Sequence, residues 1–175
     1  MSERVHSFAP LLGQAPRVLI LGSMPGRCSL DADRYYAHPR NAFWPIMGAL
    51  LGFEPALEYP ARCRALTAGG IALWDVMASC ERRGSLDADI VAASIVANDI
   101  AGLLAAEPGI RVILFNGGKA EESFRRHVQP TLPAGLASVP CHRLPSTSPA
   151  HAGLSLAAKH ALWREALAPY LPAIG

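Results

Sequence analysis

Four short clusters of polar, glycine and proline residues are the candidate chemistry in this 175-residue chain. They are Gly22-Ser23-Met24-Pro25-Gly26, the lone carboxylate Asp75, Asn116-Gly117-Gly118-Lys119, and Ser146-Thr147-Ser148-Pro149. Carboxylates, carboxamides, hydroxyls and glycine-rich turns can read the polar edge of a ligand, hold a water and stabilise charge with backbone N–H groups. The clusters do not spell a nucleotide cradle, because neither G-x-G-x-x-G nor G-x-x-x-x-G-K-[ST] occurs. A G-x-S-x-G elbow is absent too, and a Ser23–His151 nucleophile and base would lack an evident carboxylate partner. Cys28, Cys63, Cys80 and Cys141 form no C-x-x-C pair, so no zinc or iron–sulfur site is signalled. Each cluster taken singly is ordinary turn chemistry. Their positions carry the information.

Each cluster closes an apolar run. Arg17 to Gly22 is a continuous apolar stretch, as expected of a parallel strand buried on both faces. Ile71 to Val76, Arg111 to Phe115 and a short segment around Ser138 to Leu144 read as three further strands. Helices are expected over Asn41 to Leu51, capped by Asn41, over Ala56 to Ala68, and in a region ending near Glu107 to Gly109. Two more are expected over Lys119 to Val128 and Ser155 to Tyr170, the last with Leu156, His160, Trp163 and Leu167 on one stripe. Arg27 to Arg40 reads as a polar stretch and Glu81 to Asp87 as a charged loop. Strands alternating with helices predict a three-layer α/β/α domain with a mainly parallel four-stranded sheet. In such a sheet the carboxyl ends of the strands share one edge, where ligands bind, so the four clusters predict one site built from four loops.

Composition narrows the class. Hydrophobic residues make up 51% and charged residues 17%, which describes a globular chain and excludes a disordered one. One domain over residues 1–175 is expected from the length. No apolar run reaches the ~20 residues of a membrane span, and no signal pattern opens the chain, so a cytoplasmic protein without a membrane partner is expected. The net charge of +2 neither demands nor excludes a nucleic acid, so a polyanion would have to be held by a local patch. The 16 basic residues comprise 14 Arg and 2 Lys, which suits phosphate contacts but equally reflects a general preference for arginine.

Three segments together resemble the uracil-DNA glycosylase superfamily. Gly22 to Gly26 after the first strand looks like its first motif, and Ser146-Thr147-Ser148-Pro149 after the last strand looks like its second. Tyr36-Ala-His-Pro-Arg-Asn-Ala-Phe-Trp44 resembles the adjoining segment of the mismatch-specific uracil/thymine glycosylases. The Asn-Ala-Phe-Trp segment with Leu144 to Ala150 is most similar to the hypoxanthine-DNA glycosylase branch. The order of elements from about residue 15 to residue 170 is similar throughout.

The resemblance implies a monofunctional enzyme, monomeric and without metal or cofactor. It would hydrolyse the N-glycosidic bond of hypoxanthine, with uracil as the second choice, in DNA carrying a deaminated or mismatched base. The target nucleotide must leave the stack, at a cost of a few kcal/mol. Its sugar then becomes oxocarbenium-like while the departing base gains negative charge. By resemblance Tyr36 stacks on the flipped base, and Asn41 and Ser146 are the catalytic candidates. Met24 stands where many relatives carry Asp or Asn to orient water, and Ser146 where they carry His or Asn, so both positions are chemically weaker here. Gly22, Ser23, Met24, Phe43, Asp75 and Asn116 are the expected base-binding residues. Pro25, Gly26, Lys119, Thr147, Ser148, Pro149, Ala150 and His151 are the expected DNA contacts, with Ala150 where a bulkier wedge often sits.

Bland alternatives stand beside these roles. Asn41 can simply cap a helix, Phe43 and Trp44 can be core, and Asp75 can pair with Arg82 or Arg83. Asn116 can hold its turn, and Lys119 and His151 can be solvated. Two rival functions remain at this point: a mismatch-specific uracil/thymine glycosylase, and a non-catalytic nucleic-acid or nucleotide-binding module using the same edge.

Overall fold

Alternate residues of the first apolar run face opposite sides and divide the core in two. Val18 and Ile20 pack with Phe43, Trp44, Met47, Leu66 and Trp163, while Leu19 and Leu21 pack with Ile100, Leu104, Phe115 and Phe124. All five residues of this strand are buried, which a strand covered by helices on both faces requires.

The computed structural model describes residues 2–172 and 174. Strands β1 (Glu3–His6) and β2 (Val18–Gly22) precede helices α1 (Arg27–Ala32), α2 (Phe43–Leu51) and α3 (Tyr59–Ala68). Then come β3 (Ile71–Asp75), β4 (Met77–Arg82), β5 (Val96–Ala97), α4 (Ile100–Ala106), β6 (Val112–Asn116) and α5 (Gly118–His127). A short α6 (Ala134–Ala137), β7 (Cys141–Leu144) and α7 (Leu156–Leu167) complete the order. The expected parallel four-stranded sheet is present, in the order β3-β2-β6-β7. Val18 lies opposite Ile71 and Val112, and Asn116 opposite Leu144, so the strand ends finish together along one edge.

Several boundaries differ from expectation for local reasons. Helix α2 starts at Phe43, because Asn41 lies outside it and accepts the Phe43 N–H on Oδ1 at 2.9 Å. Pro60 lies in the first turn of α3, where a missing N–H is harmless, and the helix begins at Tyr59 rather than Ala56. Arg27 to Ala32 is helical, not simply polar coil. On α7 the buried side chains are Lys159, Trp163 and Leu167, whereas Leu156 is exposed.

The larger correction is a second sheet. The segment expected to run from a charged loop into a helix instead contains β4 and β5, which form an antiparallel sheet in the order β1-β4-β5. Val5, Met24, Met77, Cys80 and Ile90 make its small core. Only Ile100 to Ala106 of the expected helical region is α-helix. The chain passes from β3 to β4 beside the first loop, with Val76 N–H donating to the Gly22 carbonyl at 2.8 Å.

Candidate active site

The ends of β2, β3, β6 and β7 open into one cavity of about 670 Å³, within the size range of small-molecule sites. Gly22 to Gly26, Tyr36, Asn41, Asp75, Asn116 and Ser146 to His151 all line it.

The floor is the β2–β3 junction. Asp75 is buried at the last position of β3, and its Oδ2 has no hydrogen-bond partner among the described residues. Burial pushes its carboxyl up to about 7, helped by repulsion from Asp87 and opposed by Arg82. The Tyr36 hydroxyl is also buried without a partner, and burial beside Asp75 raises it far above the usual phenol range. Gly22 permits this close packing, since a Cβ there would collide with Asp75 Oδ1 and lie 2.9 Å from the Tyr36 hydroxyl. Buried polar groups are nearly always paired, so two orphans on one pocket floor mark a place for a polar ligand.

The side wall is aromatic. Tyr36 adopts a left-handed backbone conformation (φ 53°) and lays its ring against Phe43, with centroids 4.3 Å apart and planes tilted by 30°. Trp44 fixes the turn by donating from Nε1 to the Tyr35 carbonyl at 2.8 Å. With Oδ1 on the Phe43 N–H, the Asn41 amide has no partner for its Nδ2 donors among the described residues.

The opposite lip is clamped. Asn116 donates from Nδ2 to Thr147 Oγ1 and accepts the Thr147 N–H on Oδ1, both at 2.9 Å. The Thr147 carbonyl takes the Ala42 N–H at 2.9 Å. Lys159, buried on α7, donates to the His151 carbonyl at 2.7 Å and the Ser148 carbonyl at 3.4 Å. Trp163 Nε1 reaches the Pro145 carbonyl at 3.1 Å. Ser146 Oγ accepts the Ser148 N–H at 3.1 Å, which leaves its own O–H able to donate. Gly117, at φ 95°, lets the chain turn under Ser146, whose Cβ would lie 3.1 Å from a side chain there.

The Uracil DNA glycosylase superfamily profile matches residues 10–168. The chain belongs to the uracil DNA glycosylase superfamily. Two relatives from Methanosarcina carry the name hypoxanthine DNA glycosylase. The M. barkeri protein is 36% identical over 118 residues, covering 67% of this chain and 73% of that one. The M. acetivorans protein is 37% identical over the same shares. A solution NMR structure from M. acetivorans, proposed as a uracil DNA glycosylase, superposes with a TM-score of 0.74 at 30% identity, over 93% of this chain and 98% of that one.

Most residues singled out by this glycosylase-like pattern meet in the cavity, but five are used differently. Phe43 is wholly buried and backs Tyr36 without lining the pocket. Asn116 lines it, yet its amide is occupied by Thr147, so it anchors a loop. Thr147 is itself buried in that anchor. Lys119 lies off the cavity and pairs with Glu122 at 3.8 Å. Asp75 does not ion-pair with Arg82 or Arg83. Met24 is buried against the second sheet's core.

The sequence reading missed the wall formed by Ser85, Leu86, Asp87 and Ala88, and also His38, Arg40 and the clamp residue Lys159. Apart from the Tyr36 to Trp44 segment, which holds His38 and Arg40, no spacing pattern flags them. The four-residue wall follows β4, whose pairing with β1 and β5 sets it beside the site. Among the described residues no cluster of histidine, cysteine or carboxylate side chains could hold a metal ion, and no helix is long and apolar enough to cross a membrane.

Proposed function

We propose that this superfamily member is a monofunctional DNA glycosylase of base-excision repair. It hydrolyses the N-glycosidic bond of deaminated bases in DNA, hypoxanthine first and uracil second, and leaves an abasic site. The observation that carries this reading is the convergence of Tyr36, Asn41, Asp75 and the Ser146 to His151 loop on one cavity. The two curated relatives named hypoxanthine DNA glycosylase support the choice of base.

In this reading a flipped nucleotide slides its base along Tyr36, whose far side is braced by Phe43. A ring platform of this kind is worth about 1–3 kcal/mol per base and accepts purines and pyrimidines alike. The base edge meets the pocket floor. Asp75, whose carboxyl burial raises to about 7, keeps a substantial protonated fraction near neutral pH, and in that form it offers both an O–H donor and a carbonyl acceptor to a lactam edge. A neutral acid avoids repelling the base as it gathers negative charge. The Asn41 amide N–H groups orient the attacking water or the leaving base, and the Ser146 hydroxyl donates to the developing anion. The clamped Ser146 to His151 loop, with Ser148 and the exposed Ala150 and His151 at its tip, presses on the duplex beside the extruded nucleotide. The protein works as a cytoplasmic monomer.

The test is gel analysis of duplexes carrying deoxyinosine, deoxyuridine or a thymine mismatch, treated with the protein and then with alkali. Strand breaks at inosine, with fewer at uracil, are expected. Retained duplex binding with no breaks in any substrate would mean a binding module instead.

A further inference from the structure

The first loop of the site is fastened along its length to a second loop from the antiparallel sheet. Arg82, fully buried at the end of β4, donates from Nη2 to the Pro25 carbonyl at 2.7 Å. Ser85 Oγ accepts the Arg27 N–H at 2.7 Å, and Gly26 leaves room for it, since a Cβ there would lie 3.0 Å from that oxygen. Ser23 Oγ donates to Asp87 Oδ1 at 2.5 Å. These contacts set a carboxylate into the wall of the cavity, near enough to the buried Asp75 for the two carboxyls to repel.

A carboxylate at this position opposes DNA binding, because it adds like charge beside a polyanion. No cation neutralises it by contact. Asp87 forms no salt bridge among the described residues, Arg82 is directed to Pro25, and Lys119 to Glu122. As a residue Asp87 is exposed, but its carboxyl turns inward to Ser23. That partial burial raises its proton affinity against the Ser23 hydrogen bond and the more distant Arg82 and Lys119 charges. The positive charge that does arise in the cavity is the sugar of the reacting nucleotide.

Resting on the glycosylase reading above, we infer that Asp87, oriented by Ser23, is a catalytic carboxylate that faces the cationic sugar and receives a proton from the attacking water. It supplies from a different loop the carboxylate that Met24 does not. In the step, the bond from C1′ to the base nitrogen breaks and its electron pair leaves with the base. The water oxygen bonds to C1′, and one water proton passes to Asp87. The base takes the proton of Asp75. The products are the abasic sugar hydroxyl and the neutral base, and exchange with solvent returns Asp87 to its anion and Asp75 to its acid. Water is the only co-reactant.

The test compares wild type, Asp87→Asn and Ser23→Ala on a deoxyinosine duplex under single-turnover conditions. The Kd for a duplex carrying non-cleavable 2′-fluoro-deoxyinosine is measured alongside. For Asp87→Asn the excision rate is expected to fall about 100-fold or more, while Kd stays constant or tightens because a negative charge has left the DNA-facing wall. Ser23→Ala keeps the carboxylate but loses its orientation, and a roughly tenfold slower rate at constant Kd is expected. Asp87→Asn excising within threefold of wild type would overturn the inference. So would parallel losses of rate and affinity, which mark a wall residue only. Should Asp87→Asn fail to fold, Ser23→Ala decides: unchanged rate and Kd together overturn the inference. A wild-type protein that releases no base from any of the three duplexes would instead bring down the glycosylase reading, and this inference with it.

Discussion

The two sides of the cavity are built on opposite rules. On the side of β7 and α7, the Pro145 to His151 loop is held by a set of hydrogen bonds: Asn116 on Thr147, Lys159 on two carbonyls, Trp163 on Pro145. On the side of β2 and β3, the Asp75 Oδ2 and the Tyr36 hydroxyl are buried with none among the described residues. Unsatisfied buried groups each cost about 1–3 kcal/mol, so two of them on one pocket floor are not a packing accident. In the proposed glycosylase reading, the clamped side holds the DNA in register and the unsatisfied side is completed by the base. Mutations should therefore separate the sides by which property they damage.

The largest effect is expected at the seam between them. Asn41→Ala should lower single-turnover excision about 100- to 1,000-fold, in the range of losing a preorganised hydrogen-bond donor. Its folding loss, read by thermal melting, should be only the ~1 kcal/mol of the lost hydrogen bond to the Phe43 N–H. Near-normal excision would remove Asn41 from the chemistry and leave it a residue that only holds the turn before α2.

Next is Gly22→Ala, which inserts a methyl group between Asp75 and Tyr36. Excision should fall about 100-fold as the floor is pushed apart, by analogy with the sensitivity of catalysis to ~1 Å misplacement. Unaltered Kd for undamaged duplex would place the damage in the base pocket and not on the DNA-gripping face.

The third expectation is a pH profile. If Asp75 acts as the acid, the rate should fall tenfold per unit as pH rises through about 7, and Asp75→Asn should abolish that limb. Stability follows the same proton. The folded-state value lies above the ordinary 3.8, so the folded protein binds the extra proton between about 4 and about 7. Stability is therefore lost as pH rises through that window, and Asp75→Asn should be more stable than wild type by about 2–4 kcal/mol above it. A variant less active yet more stable is the signature of the unsatisfied side, and chemical denaturation at two pH values reads it.

Lys159→Met on the clamped side should do the reverse. Two loop carbonyls lose their donor, costing about 1–3 kcal/mol in stability. Excision should drop by less than tenfold, mainly through weaker duplex binding. A rate collapse with intact melting temperature would contradict the division of labour between the two sides.

The parallel sheet was legible because its central strands are uninterrupted apolar runs such as Val18 to Leu21 and Val112 to Phe115, closed by glycine or asparagine. The second sheet was not. β1 has four residues with only Val5 buried, and β4 reads Met-Ala-Ser-Cys-Glu-Arg, which no apolar alternation marks as a strand. Since that sheet carries the Ser85 to Ala88 wall, Asp87 stayed invisible with it. Asn116 and Thr147 were legible as site residues but not as each other's partners, because a carboxamide serves a ligand or a loop equally well. Lys159 was hidden for another reason: it shares a face of α7 with Trp163 and Leu167, where a lysine reads as a break in the apolar stripe.

The central claim is that the cavity removes a base from DNA. Chromatography of the small molecules released from a deoxyinosine duplex, with the protein in excess, tests it most directly. Free hypoxanthine in equal amount to alkali-labile sites, and no adenine from the matching undamaged duplex, is the predicted result. An intact deoxyinosine strand after prolonged incubation, with the duplex still bound, would contradict it.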